Sequence, residues 1–126
     1  MSDTRTITLT GRPPVTIIEA DWPILADAQD SDHDNQHECQ ANRRWKWLIR
    51  VRQHFDGRAL VFATYSYSTQ YQGERDVSAR HGDMLPVGAT ADDICRAIAS
   101  VASRMPGDRW DTLAAECVAD MPAEVL

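Results

Sequence analysis

Residues 43–69, RRWKWLIRVRQHFDGRALVFATYSYST, decide the fold. Asp56-Gly57 sits at the middle of this stretch. Asp-Gly supplies the positive φ angles of a two-residue type I′ loop, and alternating residues flank it on both sides. Before the turn, Trp45, Trp47, Ile49 and Val51 alternate with Arg44, Lys46, Arg50 and Arg52. After it, Leu60, Phe62 and Thr64 alternate with Val61, Ala63, Tyr65 and Tyr67. A two-residue loop pairs Phe55 with Arg58. It then sets Val51 opposite Phe62, Arg50 opposite Ala63, Leu48 opposite Tyr65 and Lys46 opposite Tyr67. On this register one face of the hairpin carries tryptophans and aliphatics. The other carries four cations and two tyrosines.

Working outward, Thr4–Thr10 alternates with period two and reads as a strand with Ile7 and Leu9 inward. Gly11-Arg12-Pro13-Pro14 turns the chain, and Val15–Glu19 is a second strand. Asp21-Trp22-Pro23 leaves a short helix and a strand over Ile24–Ala28 both open. Residues 29–42 have the polar composition of a loop, and Gln70–Gly82 reads as a loop or irregular edge. Met84–Gly88 is an apolar linker.

Two helices close the chain. Thr90 is an N-cap with Asp93 three residues on, an acidic capping box. Ile94, Ala97, Ile98, Val101, Ala102 and Met105 then recur at helical spacing, and Pro106-Gly107 stops the run. Asp108 caps the second helix, whose stripe is Trp110, Leu113, Ala114, Cys117, Val118 and Met121. Both stripes need an apolar partner, and the Trp45/Trp47/Ile49/Val51 face supplies it. The expectation is one α+β domain over residues 1–126. An antiparallel sheet built around a long central hairpin is covered on one face by two C-terminal helices.

Composition bounds the function classes. The chain has 126 residues, 43% of them hydrophobic, which is enough for a core without metal or disulfides. No apolar run approaches the length of a membrane span and no signal-peptide core opens the chain, so the cytoplasm is the expected location. Three cysteines, Cys39, Cys95 and Cys117, form no CxxC pair, and the last two fall on helix stripes as core thiols. The net charge of −6 divides into −6 over residues 1–39, +5 over 40–82 and −5 over 83–126. A basic hairpin thus lies between acidic ends. Such asymmetry marks a binding surface, or is neutralised internally where acids pack beside the basic strands.

The candidate binding residues are Arg44, Lys46, Arg50, Arg52, Tyr65 and Tyr67, with Tyr71 and Arg75 in the loop that follows. Cations contact phosphates or carboxylates and tyrosines give flat stacking area. The same types are favoured at protein interfaces. The acidic total disfavours nucleic acid at distance. A second cluster, Asp32, His33, Asp34, His37, Glu38 and Cys39, sets two histidines four apart. It lacks a zinc spacing and does not read as a helix, so a metal-dependent hydrolase is a minor alternative and no metal or cofactor is expected. No GxSxG, phosphate loop or dinucleotide fingerprint is present. Catalysis is not expected.

Three segments carry a family resemblance: Ile7–Val15; Val51–His54 with Asp56-Gly57-Arg58; and Tyr65–Ser68 through Gln72-Gly73-Glu74-Arg75. Together with Glu116–Asp120 they make the chain similar to a family of small uncharacterised proteins encoded on plasmids and integrative mobile elements of Proteobacteria. No activity is assigned to that family, so no residue role carries over. The resemblance implies a setting, accessory cargo of a mobile element. Small non-enzymatic proteins there often block host defence, including CRISPR complexes and restriction enzymes. The expected activity is therefore binding to a protein or ribonucleoprotein partner. A nucleic-acid module using the hairpin face is the alternative. An exposed hairpin edge also allows pairing into a homodimer.

Overall fold

The computed structural model describes residues 3–36, 41–69 and 77–123, and of residues 33–36, 41–43, 69 and 77 it describes the backbone. Six strands and two helices follow in order: β1 (Thr4–Ile7), β2 (Val15–Ile18), β3 (Ile24–Gln36), β4 (Ala41–Gln53), β5 (Ala59–Thr69), β6 (Val77–Leu85), α1 (Ala91–Ser103) and α2 (Arg109–Asp120). A 3₁₀ turn, Glu19–Asp21, joins β2 to β3. The fold class is α+β. Strands β3-β4-β5-β6 form one antiparallel sheet in sequence order, and β1-β2 form a separate two-stranded sheet.

Two stretches read as loops are strands. The polar run from residue 29 continues β3 as far as Gln36, paired with β4 through Gln36 opposite Ala41. Residues 77–82 belong to β6, paired with β5 from Tyr67–Val77 to Ala59–Leu85. Both are edge strands. Polar side chains suit a rim that faces water on one side, so polarity misleads as a loop signal there. Each edge also has a cap from elsewhere. The Asp120 carboxylate accepts from the Asp27 backbone N–H at 2.9 Å, and Thr10 N–H donates to the Arg80 carbonyl at 2.9 Å.

The sheet is buried on both sides over half its length. On one face Ala28, Ile49, Val51, Ala59, Val61 and Ala63 meet Ile94, Ile98, Val101, Trp110, Leu113 and Cys117 of the helices. On the other, Leu48, Leu60 and Phe62 meet Ile7, Leu9, Ile17 and Trp22 from the N-terminal sheet and the turn after it. The hairpin face read as outward is therefore half covered. Gly82 marks the tightest point of that second layer. A Cβ there would lie 2.8 Å from the Val61 carbonyl oxygen, 2.9 Å from Phe62 Cβ and 3.0 Å from Leu9 Cδ1.

The helices form where their caps and stripes require. Thr90 Oγ1 accepts from the Asp93 N–H at 3.1 Å, and the Asp93 carboxylate accepts from the Thr90 N–H at 2.9 Å, closing the capping box. These bonds, chiefly the one from the Thr90 backbone, hold the Asp93 carboxyl below its usual range. Asp108 stands at the N-cap of α2 without a side-chain cap bond. Burial pushes the Cys117 thiol up to about 12, so it stays a neutral core group. No helix is long and apolar enough to cross a membrane.

Candidate binding surface

The geometry of the surface is set at the β4–β5 turn. His54 N–H donates to the Arg58 carbonyl at 2.9 Å, and Gly57 N–H donates to the His54 carbonyl at 2.9 Å. The loop is thus Phe55-Asp56-Gly57, a three-residue hairpin in which Gly57 alone takes positive φ, +100°. A type I turn followed by a left-handed glycine is the standard alternative to the two-residue loop. Asp56 locks it: its carboxylate accepts from the Arg58 N–H at 3.0 Å and from Arg58 Nε at 2.8 Å. The backbone bond from Arg58 chiefly, with its guanidinium, keeps the Asp56 carboxyl below the usual range.

This extra loop residue shifts the register by one from that expected. Val51 faces Val61, Arg50 faces Phe62, Leu48 faces Thr64 and Lys46 faces Ser66. Side chains alternate with period two, so a one-residue slip moves every side chain of one strand to the other face. The predicted face of cations and tyrosines does not exist. Tyr65 lies opposite Trp47 and Tyr67 opposite Trp45, on the helix side of the sheet. Their rings meet at centroid distances of 5.8 and 5.4 Å.

The four candidate cations of β4 also have separate fates. Arg52 is buried, 5% exposed, and Nη1 donates to the Trp22 carbonyl at 3.0 Å while Nε has no partner. Burial first, then the like charge of Arg50, pulls its pKa below the ordinary value. Arg50 is half-buried and pairs with Asp27 at 3.0 Å. Here the acidic N-terminal block does neutralise the basic strand. Arg44 and Lys46 remain exposed, across from Ser68 and Ser66. Tyr71 and Arg75 lie outside the described residues. So does His37, and the side chain of His33 likewise; on the backbone His33 lies within β3 opposite Arg44, not on a helix. Among the described residues no three His, Cys, Asp or Glu side chains gather as a metal site.

Two surfaces result, back to back, on the half of the sheet away from the turn. One is a polar strip, where Arg44, Lys46, Ser31, Ser66 and Ser68, with Asp32 and Trp45 at the border, line a cleft of about 500 Å³. The other is aromatic. Trp45, Trp47, Tyr65 and Tyr67 are half-buried, and the loop joining the helices lies beside the first three. Trp47, Trp45 and Tyr65 form with Pro106, Gly107, Asp108 and Arg109 a recess of about 380 Å³. The Arg109 guanidinium lies 4.1 Å from the Trp47 ring centroid and ion-pairs with Asp30. Sequence reading placed the two tryptophans in the core under the helices and overlooked Arg109. The signal that finds this surface is cross-strand pairing: only the three-residue loop sets aromatic against aromatic, which neighbouring strands favour.

No protein-family model, curated protein or solved structure matches the chain.

Proposed function

We propose that the protein works by binding a protein or ribonucleoprotein partner, without catalysis, and that the aromatic side of the sheet's far half makes the contact. In the setting that the family resemblance implies, this is accessory cargo of a mobile element acting on host defence. One observation carries the reading. The Trp45–Tyr67 and Trp47–Tyr65 pairs stay half-buried where the helix layer ends, beside Arg109. Trp, Tyr and Arg are the residue types that dominate protein–protein hot spots. The test is a pull-down from host lysate with nuclease present. The expected result is a partner retained by wild type and by Arg44→Glu with Lys46→Glu, and lost with Trp45→Ala and Tyr67→Ala.

A second reading rests on the opposite strip. Two exposed cations beside three hydroxyls offer phosphate contacts, and a strand of nucleic acid would follow them. It predicts a different pattern: salt-sensitive capture of DNA or RNA, removed by nuclease and abolished by the charge reversal.

A further inference from the structure

We infer that the recess between Trp45, Trp47 and the loop joining the helices takes a proline-rich segment of the protein partner, in polyproline II conformation; the inference rests on the protein-binding reading above. Three aromatic rings and a proline wall the recess. Trp45, Trp47 and Tyr65 come from the sheet and Pro106 from the loop, with Gly107, Asp108 and Arg109 closing a space of about 380 Å³. Grooves lined by aromatic rings are the surfaces on which proline-rich segments dock. The spacing agrees. Trp45 and Trp47 stand on one face of β4, about 7 Å apart along the strand. A polyproline II helix advances about 6 Å in two residues. Two ligand residues spaced two apart thus meet the two indoles.

Hydrogen bonding narrows the occupant. Trp110, under the helices, donates its indole N–H to the Pro106 carbonyl at 2.9 Å. Among the described residues nothing accepts from the indole N–H of Trp45 or Trp47, or from the Tyr65 hydroxyl; their contacts are the two ring pairs and the Arg109 stack. An indole can only donate. The lining is therefore rich in donors and poor in acceptors. An ordinary extended strand would bring N–H groups that find few acceptors there. Proline brings carbonyls and no N–H. Its backbone is also held near the bound conformation beforehand, so less freedom is lost on binding. Charge sets the residue beside the prolines. Arg109 is engaged by Asp30 and Trp47. Asp108 makes no side-chain cap bond and, among the described residues, no ion pair. One such carboxylate at the rim favours a basic flank and disfavours an acidic one.

The four tryptophans provide the test. Indole N–H resonances are assigned by single Trp→Phe changes and followed by NMR. The probe is an acetylated Pro-Pro-Pro-Pro-Pro-Arg amide. One comparison peptide has alanine for every proline, and the other has Glu for Arg. The expected result is saturable movement of the Trp45 and Trp47 signals by the proline peptide, with Trp22, in the opposite core, unmoved. The alanine peptide should bind about tenfold more weakly, and the Glu-flanked peptide about threefold. Asp108→Asn should erase the difference between the Arg and Glu flanks at an unchanged urea midpoint. Trp47→Phe keeps a ring but removes its N–H, and should weaken binding about fivefold when followed at Trp45. Equal binding by the alanine peptide, movement by an oligonucleotide instead, or no saturable shift would each overturn the inference. The two readings fail separately. If Trp45→Ala loses a nuclease-resistant partner but the proline peptide moves nothing, the protein-binding surface stands and the proline segment does not. If Trp45→Ala keeps the partner, the surface itself is wrong.

Discussion

The half of the sheet near Asp56-Gly57 and the half beyond Trp47 are built from the same strands to opposite ends. Near the turn, both faces are covered. Successive residues of β5, Ala59-Leu60-Val61-Phe62-Ala63, are all buried, alternately under the helices and under the N-terminal sheet. Beyond Trp47 the same alternation divides half-buried aromatics from exposed Arg44, Lys46, Ser66 and Ser68. A strand buried on both faces reads as a continuous apolar run, and one with a wet face alternates. The near half thus carries stability and the far half is free to carry recognition.

The largest effect should come from breaking that division. Trp110 is 1% exposed in the helix-side core and its Nε1–H donates to the Pro106 carbonyl at 2.9 Å. Trp110→Ala should cost about 3–5 kcal/mol. Trp45→Ala removes an equal ring from the far half, and its main loss is the tilted contact with Tyr67, about 1 kcal/mol. Urea denaturation of the two variants measures the gap. Equal losses would mean that the far half is as much core as the near half.

A smaller, opposed pair of effects lies within the second layer. Arg50 and Arg52 share a face but not a partner: Asp27 pairs with the first, while the second donates to the Trp22 carbonyl and feels the Glu19 carboxylate without an ion pair to it among the described residues. Breaking a partly buried pair leaves the Asp27 carboxylate alone, so Arg50→Met should cost about 1 kcal/mol. A buried charge without a direct ion pair gains little from staying charged. Leu60 lies opposite Arg52, and Met can take the place of the arginine stem beside the second core. Arg52→Met should leave the urea midpoint within about 0.5 kcal/mol of wild type, or raise it. A loss larger than that of Arg50→Met would show that Arg52 holds the N-terminal sheet in place.

How far the sequence carried this division depends on which signal each region uses. The helices were legible because caps and stripes are local: Thr90, Asp93 and the Ile94–Met105 spacing act within a few residues. The second layer was half legible. Ile7 and Leu9 were read as buried, and they are. The apolar run Ala59–Ala63 already required cover on both faces, but nothing local says that β1 and β2 leave the main sheet to provide it. The candidate surface was lost to a single residue of register. Asp56-Gly57 fits a two-residue loop and the end of a three-residue loop equally well. The choice depends on tertiary pairing, of Trp45 with Tyr67 and Trp47 with Tyr65, that turn chemistry does not contain.

The pH-dependent effect is a matter of slope, and it falls on the near half. Three carboxyls there sit below their usual range: Asp93 through the Thr90 N–H, Asp56 through the Arg58 N–H and Glu19 through the Arg5 guanidinium. A depressed folded pKa stabilises the native state above the unfolded value, about 3.9 for Asp and 4.3 for Glu, and that contribution is lost as pH falls through the folded pKa. Stability should therefore be level from pH 7 to about 5 and decline below about 4. Thr90→Ala, which removes the cap acceptor, should lower stability by about 1 kcal/mol at pH 7. Asp93→Asn should lower it at pH 7 as well, yet flatten the decline between about pH 5 and 3, because one carboxyl no longer takes up a proton on unfolding. Urea midpoints of both variants and wild type across that range make the check. A decline of unchanged steepness in Asp93→Asn would place the acid sensitivity at the turn or the N-terminal sheet, and Asp56→Asn would then decide between them.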